Sequence, residues 1–327
     1  MVESPTQSHA RVEESHRAHP VLRNVVRYGY LMALIGAVLT GLIPGSRLTE
    51  AAWILTGIAA FRIDRPWREH LRMLVDWLPL IGALLVYDYT RDIADKLGMP
   101  LWMDELVAVD RWMFHGTVPT VWLQEHLAGG GQPWWTPVVG IVYTTHFIVP
   151  WLVAGIFYLY SRPLWTRYMR RILLLSYLAL ITYILVPAAP PWYASREGAI
   201  PEEVRRISGF GLGVVSPDIS AQWLESHGNF VAALPSLHAG FALLVTVTLW
   251  PLARRWWLRI PLAAFPAAMA FTLVYGGEHY VFDILLGFAY VVVTIALARL
   301  WERRRPIPEA PKSVRPEPAG VGSAPGA

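Results

Sequence analysis

The sequence predicts an all-α protein that crosses a membrane several times. Of its 327 residues, 54% are hydrophobic and only 16% are charged, whereas soluble domains carry about 25% charged residues. Apolar runs long enough to cross the hydrocarbon core as a helix, roughly 17–25 residues, recur along the chain. Cysteine is absent, which excludes disulfides, thiol catalysis and cysteine-ligated metals.

Seven apolar runs qualify as membrane-spanning helices. They cover residues 27–44, 71–88, 135–160, 169–188, 236–252, 259–276 and 280–301. A weaker run at 51–63 is short enough to be a tilted span, a re-entrant hairpin or an interfacial helix. Residues 1–26 are polar and residues 303–327 are rich in Pro, Ala and Gly, so we expect a disordered arm and a disordered tail.

The distribution of basic residues predicts the orientation of these spans. Of the 28 Lys and Arg residues, 21 lie in alternate connections and in both termini, and 7 lie in the remaining connections. Because basic connections stay on the cytoplasmic side, both termini are expected in the cytoplasm, with the chain in the plasma membrane. An even number of crossings then requires residues 51–63 to span.

One polar motif, "LPSLHAG" at residues 234–240, opens an apolar run on the side that is poor in arginine. Pro235 suits the first turn of a helix. The backbone N–H groups of Ser236, Leu237 and His238 would then be free at a positive dipole end, where anions bind, and the Ser236 hydroxyl adds a donor. We expect His238 to stand beside any phosphate bound there.

A second motif, "GGEHYVFD" at residues 276–283, opens the last apolar run on the same side. The i,i+4 spacing of His279 and Asp283 predicts that they share one helix face. The carboxylate can accept the Nδ1–H of the imidazole and leave Nε2 as a nucleophile. Gly276 and Gly277 would permit the backbone to approach a substrate closely.

Two histidines, a carboxylate and a helix terminus that binds anions are suited to phosphoryl transfer. One imidazole would attack phosphorus, and the other would protonate the leaving oxygen and later deprotonate the acceptor. Three alternatives remain open. The histidines could be structural, they could bind a metal together with the aspartate, or the chain could be a transporter, although it shows no convincing inverted repeat.

These motifs resemble those of the type-2 phosphatidic acid phosphatase (PAP2) superfamily. The segments "VPAAPPWY", "NFVAALPSLHAG" and "GEHYVFD" are similar to the branch that contains inositolphosphotransferases of the inositol phosphorylceramide synthase type. The resemblance implies a six-helix membrane core with its site near one membrane face. It also implies that His279 is the nucleophile, Asp283 its orienting partner and His238 the general acid/base.

The sequence departs from the phosphatase pattern at its phosphate-binding positions. Leu237 stands where the family has Gly, and Thr272 and Leu273 stand where it has a Ser-Arg pair. Arg91 is the leading substitute for the missing arginine, although it could equally be a snorkelling interfacial residue. We also consider three weaker candidates: Arg111, Tyr143 and His146.

The remaining segments complete the predicted organisation. Residues 27–70 form N-terminal membrane helices, and residues 71–302 form the PAP2-like catalytic domain. The stretch 92–134 repeats apolar residues at helical spacing, which indicates amphipathic interfacial helices that could roof the site. The loop 193–233 either shapes access of the acceptor or is a linker.

Together, these features predict an integral membrane phosphotransferase with its active site on the extracytoplasmic face. It would act on a phospholipid or lipid-linked phosphate through a phosphohistidine and transfer an inositol-phosphate-like headgroup to a lipid or alcohol acceptor. The alternatives are a lipid phosphate phosphatase and a non-catalytic transporter or scaffold. We expect no cofactor, no nucleotide, since no P-loop is present, and no nucleic-acid partner.

Overall fold

The computed structural model describes residues 20–40, 47–128, 131, 133–208 and 232–307. Throughout these residues the regular elements are helices, and extended pairing is limited to isolated bridges that join Trp102 to Ala188 and Ala188 to Ala232. In chain order the α-helices are α1 (Pro20–Leu39), α2 (Arg47–Phe61), α3 (Trp67–Asp92), α4 (Asp104–Met113), α5 (Pro119–Ala128), α6 (Thr136–Tyr160), α7 (Arg162–Leu185), α8 (Pro191–Arg196), α9 (Leu237–Leu249), α10 (Trp256–Tyr275) and α11 (Val281–Arg304).

Five of the described helices are long and apolar enough to cross a membrane, namely α3, α6, α7, α10 and α11. Two shorter apolar helices, Leu48–Phe61 and Leu237–Leu252, accompany them. The prediction of an all-α polytopic membrane protein is therefore confirmed. The prediction of six helices in the core is not settled by length, because α9 has 13 residues and is extended by a 3-10 turn.

Several helix ends lie outside the apolar runs from which we predicted them. Helix α1 begins at Pro20, inside the expected arm 1–26, and α11 continues to Arg304, inside the expected tail. Residues 1–19 and 308–327 lie outside the described residues. Helix α7 begins seven residues before the predicted 169, because Ser161 caps it by accepting the N–H of Leu164 at 3.5 Å.

The core is built around α7, whose buried face packs against α3, α6, α9 and α11. Ile172, Leu175 and Ala179 of α7 are at most 1% exposed. Near one end of α7, the rings of Trp77, Tyr158 and Trp165 contact each other with centroids 5.0 to 6.0 Å apart. This packed centre fixes the directions in which the surrounding helices present their polar ends.

The two ends of the bundle differ in chemistry. At one end, which we call the arginine end, guanidinium groups pair with carboxylates and with terminal carbonyls. Arg162 pairs with Asp76, and Arg62 donates to the carbonyls of Tyr158 and Leu159 at 3.0 Å. The two histidine motifs lie at the opposite end, where α6, α9 and α11 begin and α3 and α7 finish.

The amphipathic segment forms α4 and α5, which pack on the end that carries the histidines. Leu106 and Val107 of α4 are buried in a cluster with Tyr280. Asp110 accepts the backbone N–H groups of Val281 and Phe282 at 3.1 and 3.2 Å, and so caps α11 from another element. Burial raises the pKa of Asp110 to about 6 against the opposing effect of these two bonds, so the carboxyl is mostly ionised at neutral pH.

The start of α11 lies directly against the turn before α9. The Ser236 N–H donates to the carbonyl of Asp283 at 3.0 Å. A Cβ on Gly287, one helical turn farther along, would overlap the Ser236 carbonyl oxygen. Glycine at this position therefore permits the two motif-bearing segments to touch.

We predict that Gly287→Ala destabilises the protein whereas Gly82→Ala does not. In a helix, alanine normally stabilises the folded state by roughly 0.5–1 kcal/mol relative to glycine. A Cβ at the exposed Gly82 would meet no atom within 4 Å. At Gly287 the overlap should instead cost about 1–3 kcal/mol. The midpoint of thermal unfolding in detergent should therefore fall only for Gly287→Ala, and equal midpoints for the two variants would contradict this account of the contact.

Candidate active site

The histidine motifs line a cavity of about 90 Å³ at their end of the bundle. Its walls come from α3, α6, α7, α9 and from loops before α8, α9 and α11. The polar and ionisable side chains that argue for chemistry are Arg91, Tyr143, His146, Arg206, His238, Glu278 and His279. Residues far apart in the chain are thus brought to one enclosed space.

Asp283 holds His279 at the start of α11. The Nδ1 of His279 is 3.4 Å from Asp283 Oδ2, which also accepts the Tyr280 N–H at 3.0 Å. Because α11 begins at Val281 with Tyr280 as N-cap, His279 precedes the helix. The predicted shared helix face is therefore wrong, and the contact forms because the carboxylate of the third helical residue reaches back to cap the terminus.

The two motif histidines are in direct contact. His279 Nε2 lies 3.4 Å from His238 Nδ1, and the ring centroids are 5.5 Å apart. The Nε2 of His238 is buried and has no hydrogen-bond partner among the described residues. This distance leaves no room for a phosphoryl group between the two nitrogens, so one ring would have to turn before phosphorus could lie there. Both rings line the cavity, and the group would enter from it.

The N-terminus of α9 differs from our expectation at Ser236. This residue is the N-cap, its hydroxyl accepts the Ala239 N–H at 3.3 Å, and its own N–H bonds to Asp283. The expected free N–H of Ser236 is therefore wrong, and the side chain is 0% exposed and does not line the cavity. Pro235 precedes the N-cap instead of occupying the first turn. Leu237 does line the cavity.

Gly277 serves the packing of a loop. It has a φ of +78°, and a Cβ there would meet Arg205 O at 3.0 Å and Val204 Cγ1 at 3.1 Å. Its carbonyl accepts the N–H of Trp192 at 3.1 Å. The close approach that glycine permits here is therefore to the protein's own backbone, and Gly277 does not line the cavity.

Two weaker candidates from the sequence, Tyr143 and His146, lie against His238. The Tyr143 ring stacks on His238 with centroids 4.9 Å apart, and the His146 ring lies at 3.9 Å. On its other side His146 stacks on Phe241 at 5.3 Å. Both side chains belong to α6, so this helix holds the His238 ring against His279.

The two arginines proposed from the sequence lie in different surroundings. Arg91, at the end of α3, lines the cavity, pairs with Asp92 at 3.0 Å and lies over the Tyr87 ring at 6.0 Å. Arg111 pairs with Glu202 at 4.0 Å and does not line the cavity. Of the two arginines, the structure therefore brings only Arg91 to the cavity.

Sequence reasoning missed Arg206, which reaches the cavity from the loop after α8. Its Nε donates to Glu278 at 2.8 Å, and the guanidinium also bonds to the Tyr143 hydroxyl. Burial opposes the charge, but Glu278 and Tyr143 outweigh it and raise the pKa of Arg206. Glu278 is further fixed by the Ser208 hydroxyl. The acidic residue directly before His279 was a signal that a basic partner should be sought.

The cavity brings together imidazole, guanidinium and carboxylate side chains. Within the described ranges, no three His, Asp or Glu side chains are grouped so that they could hold a metal ion. The three imidazoles contact one another in sequence, and two guanidinium groups line the same walls. Such a set can bind a phosphate, attack it and transfer protons.

Comparison with known proteins agrees with this chemistry. The sequence is 30% identical over 164 residues to a phosphoinositol dihydroceramide synthase from Bacteroides thetaiotaomicron, an alignment that covers 44% of this chain and 54% of that protein. The chain thus spans about half the length of this relative. No solved structure matches. Residues 104–297, more than half of the chain and including both histidine motifs, match the family described as the PAP2 superfamily, and the chain therefore belongs to this superfamily.

Proposed function

We propose that this PAP2-type lipid phosphotransferase or phosphatase works through a phosphohistidine on His279. The observation that carries the proposal is the continuous contact from Asp283 through His279 to His238, with 3.4 Å at each step. A buried carboxylate beside one imidazole nitrogen favours the tautomer whose other nitrogen bears a lone pair. That nitrogen, Nε2 of His279, faces the cavity and the second histidine.

The reaction would take place in two half-reactions. In the first, His279 Nε2 attacks phosphorus, an N–P bond forms, the P–O bond to the leaving group breaks, and His238 gives its proton to the leaving oxygen. In the second, His238 takes the proton of an acceptor hydroxyl, the new P–O bond forms and the N–P bond breaks. Both histidines return to their initial protonation states, as a catalyst requires.

We propose that Arg206 and Arg91 neutralise the phosphate. The helix positions at which the family carries its arginine hold Thr272 and Leu273, which are 2% and 0% exposed. Arg206 is oriented by Glu278 and Tyr143, so its guanidinium is held in place before the substrate binds. The backbone N–H groups of Leu237 and His238, in the first turn of α9, would add to this site.

We further propose that the acceptor is an alcohol and the transferred group an inositol phosphate. Support comes from the similar relative, which is a phosphoinositol dihydroceramide synthase, and from helices α4, α5 and α8, which pack on this end of the bundle in one cluster with Tyr280. Hydrolysis is the second candidate. The basic residues at the arginine end support cytoplasmic termini and an extracytoplasmic site.

We predict that His279→Ala and His238→Ala abolish turnover of phosphatidylinositol while the protein stays folded. Loss of the nucleophile removes the covalent route, and loss of the acid/base should lower the rate by about 10²–10⁴. Headgroup release is measured in detergent with and without a long-chain alcohol, with folding checked by circular dichroism. His126→Ala is the matched control, since His126 is exposed and stacks on Trp122.

The product that is formed distinguishes the two candidate reactions, transfer to the alcohol and hydrolysis. An inositol phosphate ester of the alcohol indicates transfer, and free inositol phosphate indicates hydrolysis. If both motif variants turn over as fast as His126→Ala, the proposed function is wrong.

We predict that Arg206→Gln lowers kcat/KM about 10- to 100-fold, since charge-assisted hydrogen bonds contribute about 1.5–3 kcal/mol. Arg206→Lys, which keeps the charge but not the paired geometry, should retain part of the activity. Arg111→Gln, a change of the same charge at an arginine outside the cavity, should behave as wild type. Equal kcat/KM for the variants at 206 and 111 would show that Arg206 does not bind the phosphate.

A further inference from the structure

A second, larger cavity lies at the arginine end, and no histidine lines it. It has a volume of about 650 Å³, within the range of ligand sites, about 300–1,000 Å³. Its walls are α1, α2 and the last turns of α6. Helices α1 and α2 precede residues 104–297, so the groove is built largely outside the part of the chain that the family shares.

We propose that this groove binds one anionic phospholipid as a structural partner of the enzyme. Its phosphate would lie among the arginines at the mouth, and one acyl chain would lie between α1, α2 and α6. The proposal rests on the charge of the mouth, the apolar floor and the position of the groove along the bundle.

The mouth carries more positive than negative charge. Four guanidinium groups, those of Arg23, Arg27, Arg62 and Arg65, share the two carboxylates of Asp64 and Glu69. All of these ion pairs are long, from 3.7 to 4.0 Å. Two positive charges therefore remain uncompensated within the described part of the chain, and a basic pocket between membrane helices is suited to an anionic headgroup.

The arginines are also held in position. Arg27 donates to the Phe61 carbonyl at 2.7 Å, and Arg62 donates to the carbonyls that end α6. The Nε of Arg27 is buried and has no hydrogen-bond acceptor among the residues described. A buried donor without an acceptor is costly, so an acceptor oxygen of a bound headgroup would stabilise this arrangement.

Below the arginines the groove is apolar and open to the side. Leu31, Leu152 and Ile156 line it and remain 38%, 51% and 42% exposed. Gly155 has no side chain, so α6 does not project into the groove at this position. A Cβ there would have Ile54 as its single neighbour within 4 Å. An apolar trough beneath a basic mouth matches a molecule with an acyl chain and an acidic headgroup, and it does not match a soluble anion.

Trp151 connects the groove to the active site. Its side chain lines the groove, the cavity beside His238 and a small cavity between them that Ile54 and Leu84 also line. A lipid in the groove would therefore contact Trp151, whose side chain also forms part of the wall of the catalytic cavity. Its headgroup, at the arginine end, cannot reach His279, which separates this lipid from the substrate.

The test is lipid binding to the purified full chain, measured by native mass spectrometry with phosphatidylglycerol and phosphatidylcholine of equal chain length. We expect wild type to prefer phosphatidylglycerol at least tenfold. Arg27→Gln combined with Arg65→Gln should remove this preference, and Ile156→Trp, which fills the trough, should weaken binding of both lipids. The control is Arg254→Gln combined with Arg255→Gln, an equal charge change at exposed arginines outside the groove.

Three outcomes would overturn the proposal. Wild type could bind the two lipids equally, the control could lose the preference as much as the groove variant, or inorganic phosphate could displace phosphatidylglycerol in wild type and in Ile156→Trp alike. The wild-type comparison needs no variant to fold. Because turnover is not measured, failure here leaves the proposed phosphotransfer untouched.

Discussion

The Asp283 carboxylate at the start of the last helix is the constraint on which the candidate site depends. In an apolar bundle an ionisable side chain within a spanning helix costs about 2.5–3.5 kcal/mol, and here Oδ2 is held by the Tyr280 N–H and contacts His279 Nδ1. The carbonyl of the same residue accepts the Ser236 N–H, which ties the start of α11 to the turn before α9. The contacts of Asp283 that cap α11 therefore also position the two histidines.

The rest of the site is built around that arrangement by elements from elsewhere in the chain. Helix α6 presses Tyr143 and His146 against His238, and Asp110 of α4 satisfies the two N–H groups that follow Tyr280. The loop after α8 supplies Arg206, which lines the same cavity and pairs with Glu278.

The sequence predicted the parts of this site whose geometry is local. His279 and Asp283 are four residues apart and meet, although through a helix cap and not through a shared helix face. Arg206 could not be found in the same way, because the loop that carries it has no periodicity and its partners Glu278 and Tyr143 lie 72 and 63 positions away. Hydropathy located the five helices that are long and apolar enough to cross a membrane. It did not locate their ends, since paired charges such as Arg171 with Glu302 let α7 and α11 continue beyond the apolar core.

Trapping the covalent intermediate would show whether His279 is the nucleophile. The enzyme is mixed with phosphatidylinositol labelled in its phosphate, without an acceptor, and the alkali-stable, acid-labile adduct is mapped by mass spectrometry. We expect a phosphoinositol adduct on His279 that disappears when an alcohol acceptor is added. Turnover without any adduct on His279, or an adduct on His238 instead, would contradict it.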